Sequence, residues 1–242
     1  MPDSTIDLKI DFDINLRRHA ESARYALVRR LAPAIRHQMA GSFQPVTMLA
    51  AIIEKRVKAA TPDLPALAKT SGEVRTLAAA AARSNLDLMF WIAPDPQARV
   101  ALDKGIQDAL DLVATELSFR GITCVNQTAG VSTEVALHHL CGVFAAGLLA
   151  LTDTAPSPAC VLLTSRRDGQ HRVIEIALAP AEPGANAHAP GDDFHVGLAT
   201  YRKIEWDDVQ AIATADGVSI QHSPMSLTLR LPVAATAATA AT

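Results

Sequence analysis

Two long runs of helical spacing, separated by a stretch a helix cannot cross, most tightly limit what this chain can become. In the first run Leu31, Ile35, Met39, Ser42, Val46, Leu49, Ile53 and Val57 stand three or four residues apart and trace one continuous stripe. The segment "ATPDLP" at 60–65 then stops the run, because neither Pro62 nor Pro65 can occupy a helix interior. A second run extends from about Leu64 to Ile92. Leu67, Val74, Ala81 and Leu88 recur every seven residues, with Ala78, Asn85 and Ile92 on companion positions, and "APDP" at 93–96 ends it. Two long helices on a short turn fold back as an antiparallel hairpin. One hairpin cannot cover both stripes, so the pattern predicts a homodimer in which two hairpins form a four-helix bundle.

After Gln97 the pattern changes. Helical spacing over about 98–119 leads through Gly121 into a short strand, "ITCVN" (122–126), and a further helix is expected over about 132–151. Strands follow at "CVLLTSR" (160–166) and "RVIEIAL" (172–178). A loop rich in Pro, Gly and Ala occupies 179–195, a helix spans about 197–215, and strands "VSIQH" (218–222) and "SLTLRLPV" (226–233) close the fold. The predicted class is α+β. A dimerising helical hairpin over 15–94 precedes an α/β sandwich over 97–233 with helices on one sheet face, and a low-complexity tail covers 234–242. Residues 1–14 read as a weakly ordered leader.

Composition narrows the function classes. Hydrophobic residues make up 49% and aromatic residues only 4%, which favours helix over an aromatic-rich sandwich. A formal net charge of −3 gives no general electrostatic case for nucleic acid or an acidic membrane. Cys124, Cys141 and Cys160 are far apart in sequence and read as reduced core thiols of a cytoplasmic protein. No N-terminal stretch has the basic-then-apolar form of a signal peptide. The apolar stretch holding His138 and His139 reads as a buried helix rather than a membrane span.

One histidine stands apart. His37 lies two positions from both Ile35 and Met39, and at about 100° per residue that places it roughly opposite the stripe, facing solvent. An idle surface histidine is the plain alternative. Its neighbours argue otherwise: Arg29, Arg30 and Arg36 bring positive charge, and Gly41 clears side-chain bulk one turn along the same face. Glycine costs ~1 kcal/mol against alanine inside a helix, and Pro45 costs more. Such violations of local rules gather where a surface is shaped for function. His138 and His139 are adjacent, point about 100° apart and cannot form a one-face metal pair. His188, His195, Asp192 and Asp193 match no metal-ligand spacing, and Asp207–Asp208 reads as a solvated helix face.

The stretch "AIRHQMAGSFQP" resembles the phosphoacceptor box of two-component histidine kinases, and the order of hairpin followed by α/β domain is similar to theirs over about 15–233. In that family the histidine projects from the first helix of a dimeric hairpin, and an ATP-binding domain follows. Here Gln38 stands where the family usually has an acidic residue or Asn, and Gly41 where it often has Thr or Asn. The helix expected over 132–151 has no asparagine to hold magnesium and phosphates. "APAEPGANA" replaces the family's Asp-x-Gly-x-Gly loop, and "DDFHVGLATYRK" has a single glycine where a second glycine-rich loop belongs. The resemblance therefore implies a dimeric histidine phosphotransferase with a kinase-like domain that lacks the nucleotide site. His37 is the expected phosphoacceptor. Arg30, Arg36, Gln38, Gly41 and Gln44 are the expected docking residues for response-regulator receiver domains, free or within a hybrid histidine kinase. No cofactor, metal or nucleotide is expected. The rival expectation is a binding protein without catalysis that titrates a receiver or a kinase.

Overall fold

The computed structural model describes residues 4–180 and 202–233. Helix α1 (Ser4–Val57) and helix α2 (Leu64–Ile92) come first. Strand β1 (Arg99–Ala101) and helix α3 (Leu102–Phe119) follow, then β2 (Ile122–Asn126) and β3 (Glu134–Ala136). A helical run made of α4 (Leu137–His139), a π-helical turn (Leu140–Phe144) and α5 (Ala145–Asp153) leads to β4 (Ala159–Asp168) and β5 (His171–Pro180). Helix α6 (Trp206–Ala215) and strands β6 (Ser219–Ser223) and β7 (Ser226–Pro232) complete the described chain. The class is α+β, as the sequence pattern requires.

Packing divides the chain into two units, Met1–Leu31 with Pro94–Thr242, and Ala32–Ala93. The smaller unit is the helical hairpin. Asp63 caps α2 by accepting a hydrogen bond from the Ala66 amide at 3.0 Å, and Pro65 follows in the first turn, where its missing N–H costs nothing. Within this unit Ile35, Ala81, Leu88 and Trp91 are buried. Met39, Val46, Leu49 and Ile53 on α1, and Leu67 and Val74 on α2, remain half-exposed.

The larger unit is built on a five-stranded sheet of order β2-β4-β5-β7-β6. β2 runs parallel to β4, and the remaining neighbours are antiparallel. Along β5 and β7, Ile174, Ile176, Leu227, Leu229 and Leu231 are buried on one face. On the other face Thr164, Glu175, Thr228 and Gln221 stand side by side in register. Helices α3, α5 and α6 cover the apolar face. The helical run from His139 to Thr152 is buried at every position, so it is apolar all round rather than striped. Gly147 lets it approach the sheet closely, since a Cβ there would overlap the Leu227 side chain.

Several expectations change. α1 begins at Ser4 rather than after a loose leader, and no glycine or proline interrupts the chain between Ser4 and Ala32. Its segment up to Leu31 packs within the larger unit, burying Ala20, Ala23, Leu27 and Leu31. The helix expected from 98 starts at Leu102, and the one expected from 132 starts at Leu137. Three-residue strands β1 and β3 precede them and pair with each other, Arg99 opposite Ala136. The helix expected over 197–215 is α6, with 202–205 outside it. No helix of the described residues is long and apolar enough to cross a membrane.

Candidate functional site

The site is built on α1 inside the hairpin unit. His37 is solvent-exposed, while Ile35, two residues back, keeps only 4% of its surface accessible. The imidazole therefore projects from the outer side of the helix, as the 200° separation demands. Arg36 and Gln44 are exposed, and Gln38 is half-buried. Gly41 is exposed too, and a methyl group built on it would meet nothing within 4 Å. Of the expected docking residues, Arg36, Gln38, Gly41 and Gln44 share one unit with His37.

Arg30 does not belong with them, which corrects the sequence expectation. Its side chain retains 3% exposure and donates to Glu116 at 2.5 Å and Asp153 at 3.1 Å. Arg120 joins the same carboxylates, 2.9 Å from Asp153, and donates to the Thr152 carbonyl. Burial alone would depress the Arg30 guanidinium, yet the two carboxylates hold its pKa above the usual arginine value. A cation so enclosed cannot meet an incoming phosphoryl group. The expectation failed because positions 30 and 37 share a helix face, and helix geometry does not say what covers that face.

The turn after His37 is loosened in three ways. The Ser42 hydroxyl donates to the Met39 carbonyl at 2.8 Å, and the Thr47 hydroxyl to the Phe43 carbonyl at 3.2 Å. Pro45, inside the helix, has no N–H to give to the Gly41 carbonyl. On its inner side, Ser42 also lies 3.4 Å from the Asn85 side-chain oxygen of α2, a polar contact within the apolar stripe. The hairpin unit carries seven Lys and Arg against four Asp and Glu, in a chain whose total charge is −3. Its surface thus favours an anionic partner although the whole chain does not. A second feature of this surface does not follow from the apolar stripe. Phe43, Met48, Leu86 and Met89 are large, apolar and exposed. Their signal was their apolar character at positions off the stripe.

Other candidates resolve differently. Asp208 is not solvated, as expected, but 1% exposed. It accepts two hydrogen bonds from Arg202 at 2.7 and 2.9 Å and caps the N-terminus of α6, with His19 of α1 at 3.5 Å. Those donors hold its carboxyl below the usual range against the opposing effect of desolvation, the largest single influence on it. His138 and His139 are packing residues: their rings meet edge to face at 4.3 Å and neither Nδ1 has a partner. Cys141 is buried, which pushes its thiol up to about 12, but Cys124 is exposed and Cys160 half-buried, so only one of the three is a core thiol. His188, Asp192, Asp193 and His195 lie outside the described residues. Among the described residues no group of three His, Cys, Asp or Glu side chains is placed to hold a metal ion.

No protein-family model and no curated protein matches the chain. Solved structures similar to it include the histidine kinase AdeS of Acinetobacter baumannii, at 14% identity and a TM-score of 0.41, covering 79% of this chain and 96% of that one. The catalytic domain of the histidine kinase ThkA is similar over 56% of this chain and 96% of its own, at 10% identity and a TM-score of 0.41. The mycobacterial sensor histidine kinase MprB is similar over 56% of this chain and 97% of its own, at 15% identity and a TM-score of 0.38.

Proposed function

We infer that this chain is a histidine phosphotransferase that accepts a phosphoryl group on His37 from the receiver domain of one response regulator and passes it to another. The observation that carries the reading is an imidazole on the outer side of a hairpin helix, opposite buried Ile35, with open space at Gly41 on its flank. The step needs little else. An imidazole nitrogen attacks the phosphorus of an aspartyl phosphate, the P–O bond to the carboxylate breaks, and a P–N bond forms on His37. The electron pair leaves with the aspartate, and the reverse step on a second receiver restores His37. Arg36 supplies positive charge beside the transferring group, and the net basic hairpin favours an acidic receiver surface. Magnesium belongs to the receiver in this scheme. Two hairpins pairing along the half-exposed stripes complete the docking surface. The larger unit serves as a scaffold without nucleotide chemistry, a reading supported by the lack of any asparagine between Leu137 and Asp153.

The test is transfer of label from a phosphorylated receiver. The wild-type chain should take label, and His37→Ala should fold normally and take none, because an exposed histidine contributes little to stability. Label persisting on His37→Ala would remove the assignment. A receiver that binds both proteins tightly but labels neither would favour the second reading, a partner-titrating dimer without chemistry, for which the exposed Phe43, Met48, Leu86 and Met89 are the supporting observation.

A further inference from the structure

We propose that residues 6–16 are an exchange arm, which leaves α1 as an extended strand and adds to the outer edge of β6 in a second copy of this chain. The inference goes beyond the phosphotransfer reading and does not rest on it. Behind it stands a conflict between sequence period and helix. Ile6, Leu8, Ile10, Phe12, Ile14 and Leu16 are apolar, and Asp7, Lys9, Asp11, Asp13 and Asn15 between them are polar. On a strand that strict alternation gives one apolar face and one polar face. On a helix every second residue turns by about 200°, so the six apolar positions are split between opposite sides. Helix α1 nevertheless begins at Ser4, and the misfit shows at Ile14, which stays 42% exposed, and at Leu16, only half-buried. Aspartate, asparagine, isoleucine and phenylalanine are also weak helix formers, so local preference opposes the helix along the whole segment.

Among the described residues the five-stranded sheet has β2 and β6 as its outer strands. Beside β2 an apolar arm face finds no cover, because the successive residues Thr123, Cys124 and Val125 are all exposed. β6 has one covered face and one wet face. Ile220, opposite buried Leu229, is half-buried, and the His222 ring stacks on Trp206 of α6 at 4.0 Å, while Ser219 and Gln221 point the other way. An antiparallel arm with Asp11 opposite Gln221 sets Phe12 beside Ile220 and Ile10 beside His222. Asp13 then falls opposite Ser219, whose other neighbour is the exposed Arg230 of β7. A parallel arm would bring Lys9 there instead, so charge selects the antiparallel register. The partner is a second copy because the same chain cannot reach. His19 is held at Asp208 in the first turn of α6, yet this register puts Leu16 past Ser219, beyond the other end of that helix. From Asp208 to Asp216 is about 12 Å along the α6 axis, and the three residues from Leu16 to His19 span at most about 11 Å with no room left to turn. The arm does emerge beside α6, where Arg24 also binds Asp216, so two copies meeting edge to edge exchange arms reciprocally.

The experiment uses the full chain with Cys124→Ser, which removes the exposed native thiol. Asp11→Cys and Gln221→Cys are made in separate chains, which are mixed, oxidised with copper phenanthroline and read by peptide mass spectrometry. A disulfide between positions 11 and 221 is expected, and likewise one between Asp13→Cys and Ser219→Cys. Phe12→Cys should not link to Gln221→Cys, because neighbouring residues of a strand point to opposite faces. Combining Ile6→Ala, Ile10→Ala and Ile14→Ala favours the helix and strips half of the apolar face, and it should abolish the link between 11 and 221. Equal linking of positions 11, 12 and 13 to position 221 would show random collision and overturn the proposal. No link between 11 and 221, or a link that persists in the triple-alanine chain, would overturn it too. So would a link that forms within one chain carrying both cysteines and never between separate chains. Phosphoryl transfer to His37 enters none of these readouts, so each result leaves the functional reading where its own test puts it.

Discussion

At Arg30 the energetics are those of a buried charge. The guanidinium, Glu116, Asp153 and Arg120 form a nearly dry cluster in which the Arg30 Nε and one Asp153 oxygen still lack partners. Such clusters are weak contributors when intact and costly when broken, since removing one partner strands the others. Arg30→Ala should therefore cost about 3–5 kcal/mol, while Arg30→Met, which fills the space without a donor, should also destabilise because the two carboxylates remain. Urea denaturation with matched slopes checks both, and a loss below ~1 kcal/mol would show that the pair is solvated in solution. The residue scale is also where the sequence was least informative. His37 could be placed because its own helix decides its exposure. Arg30 and Asp208 could not, because their burial is decided by residues 86 or more positions away, or by a capping geometry that spacing does not encode.

Among the elements, the hairpin was the most legible: α2 runs from Leu64 to Ile92, the bounds its heptad spacing and flanking prolines imply. Long periodic runs carry their own evidence. β1 and β3, three residues each, are too short to show a period, and so the following helices were expected too early. The element starting at Leu137 also carries a pH signature. Burial, the largest influence, lowers the pKa of His139 to about 4, and the neighbouring His138 and Arg99 lower it further against a hydrogen bond that the ring donates to the Asp216 backbone carbonyl. His138 is lowered by burial as well, with Asp216 opposing and Arg99 and Arg24 adding to the shift. Both rings are thus bound as neutral imidazoles. Below the ordinary value near 6.5 the unfolded chain takes up protons that the folded chain refuses, so stability should fall from about pH 6.5 down to about pH 4. Asp216, whose carboxyl is raised by burial despite Arg24, acts in the opposite sense at the acidic end. His139→Phe should flatten the slope of melting temperature against pH between 6.5 and 4. An unchanged slope would assign the acid sensitivity elsewhere.

For the molecule as a whole, the expected division near Gln97 rested on a change of grammar, from sustained heptads to short strands between helices, whereas the packing units are Ala32–Ala93 and the remainder. Assignment of the first thirty-one residues did not follow, because an Ala-rich helix face looks alike whichever unit it packs against. The stripes of the hairpin set the assembly prediction. Leu49, Ile53, Leu67 and Val74 remain half-exposed in one chain, and a second hairpin would cover them. Light scattering should show a dimer at micromolar concentration, and Leu49→Asp should make it a monomer, since an unpaired charge in such a seam costs several kcal/mol. A wild-type monomer would refute the bundle.

The hydrogen bond between Arg24 and Asp216 joins positions 192 residues apart. A ribosome releases the N-terminus first, at a pace that separates those two residues by roughly ten to forty seconds. Throughout that interval Arg24 lacks its carboxylate, although Glu116 and Asp153, the partners of Arg30 on the same helix, are made before Asp216. The segment around Arg24 is therefore made well before the carboxylate it binds. A nascent chain halted before α6 would leave the Arg24 turn of α1 without this tie, and a holding chaperone would meet that turn in its unfastened state.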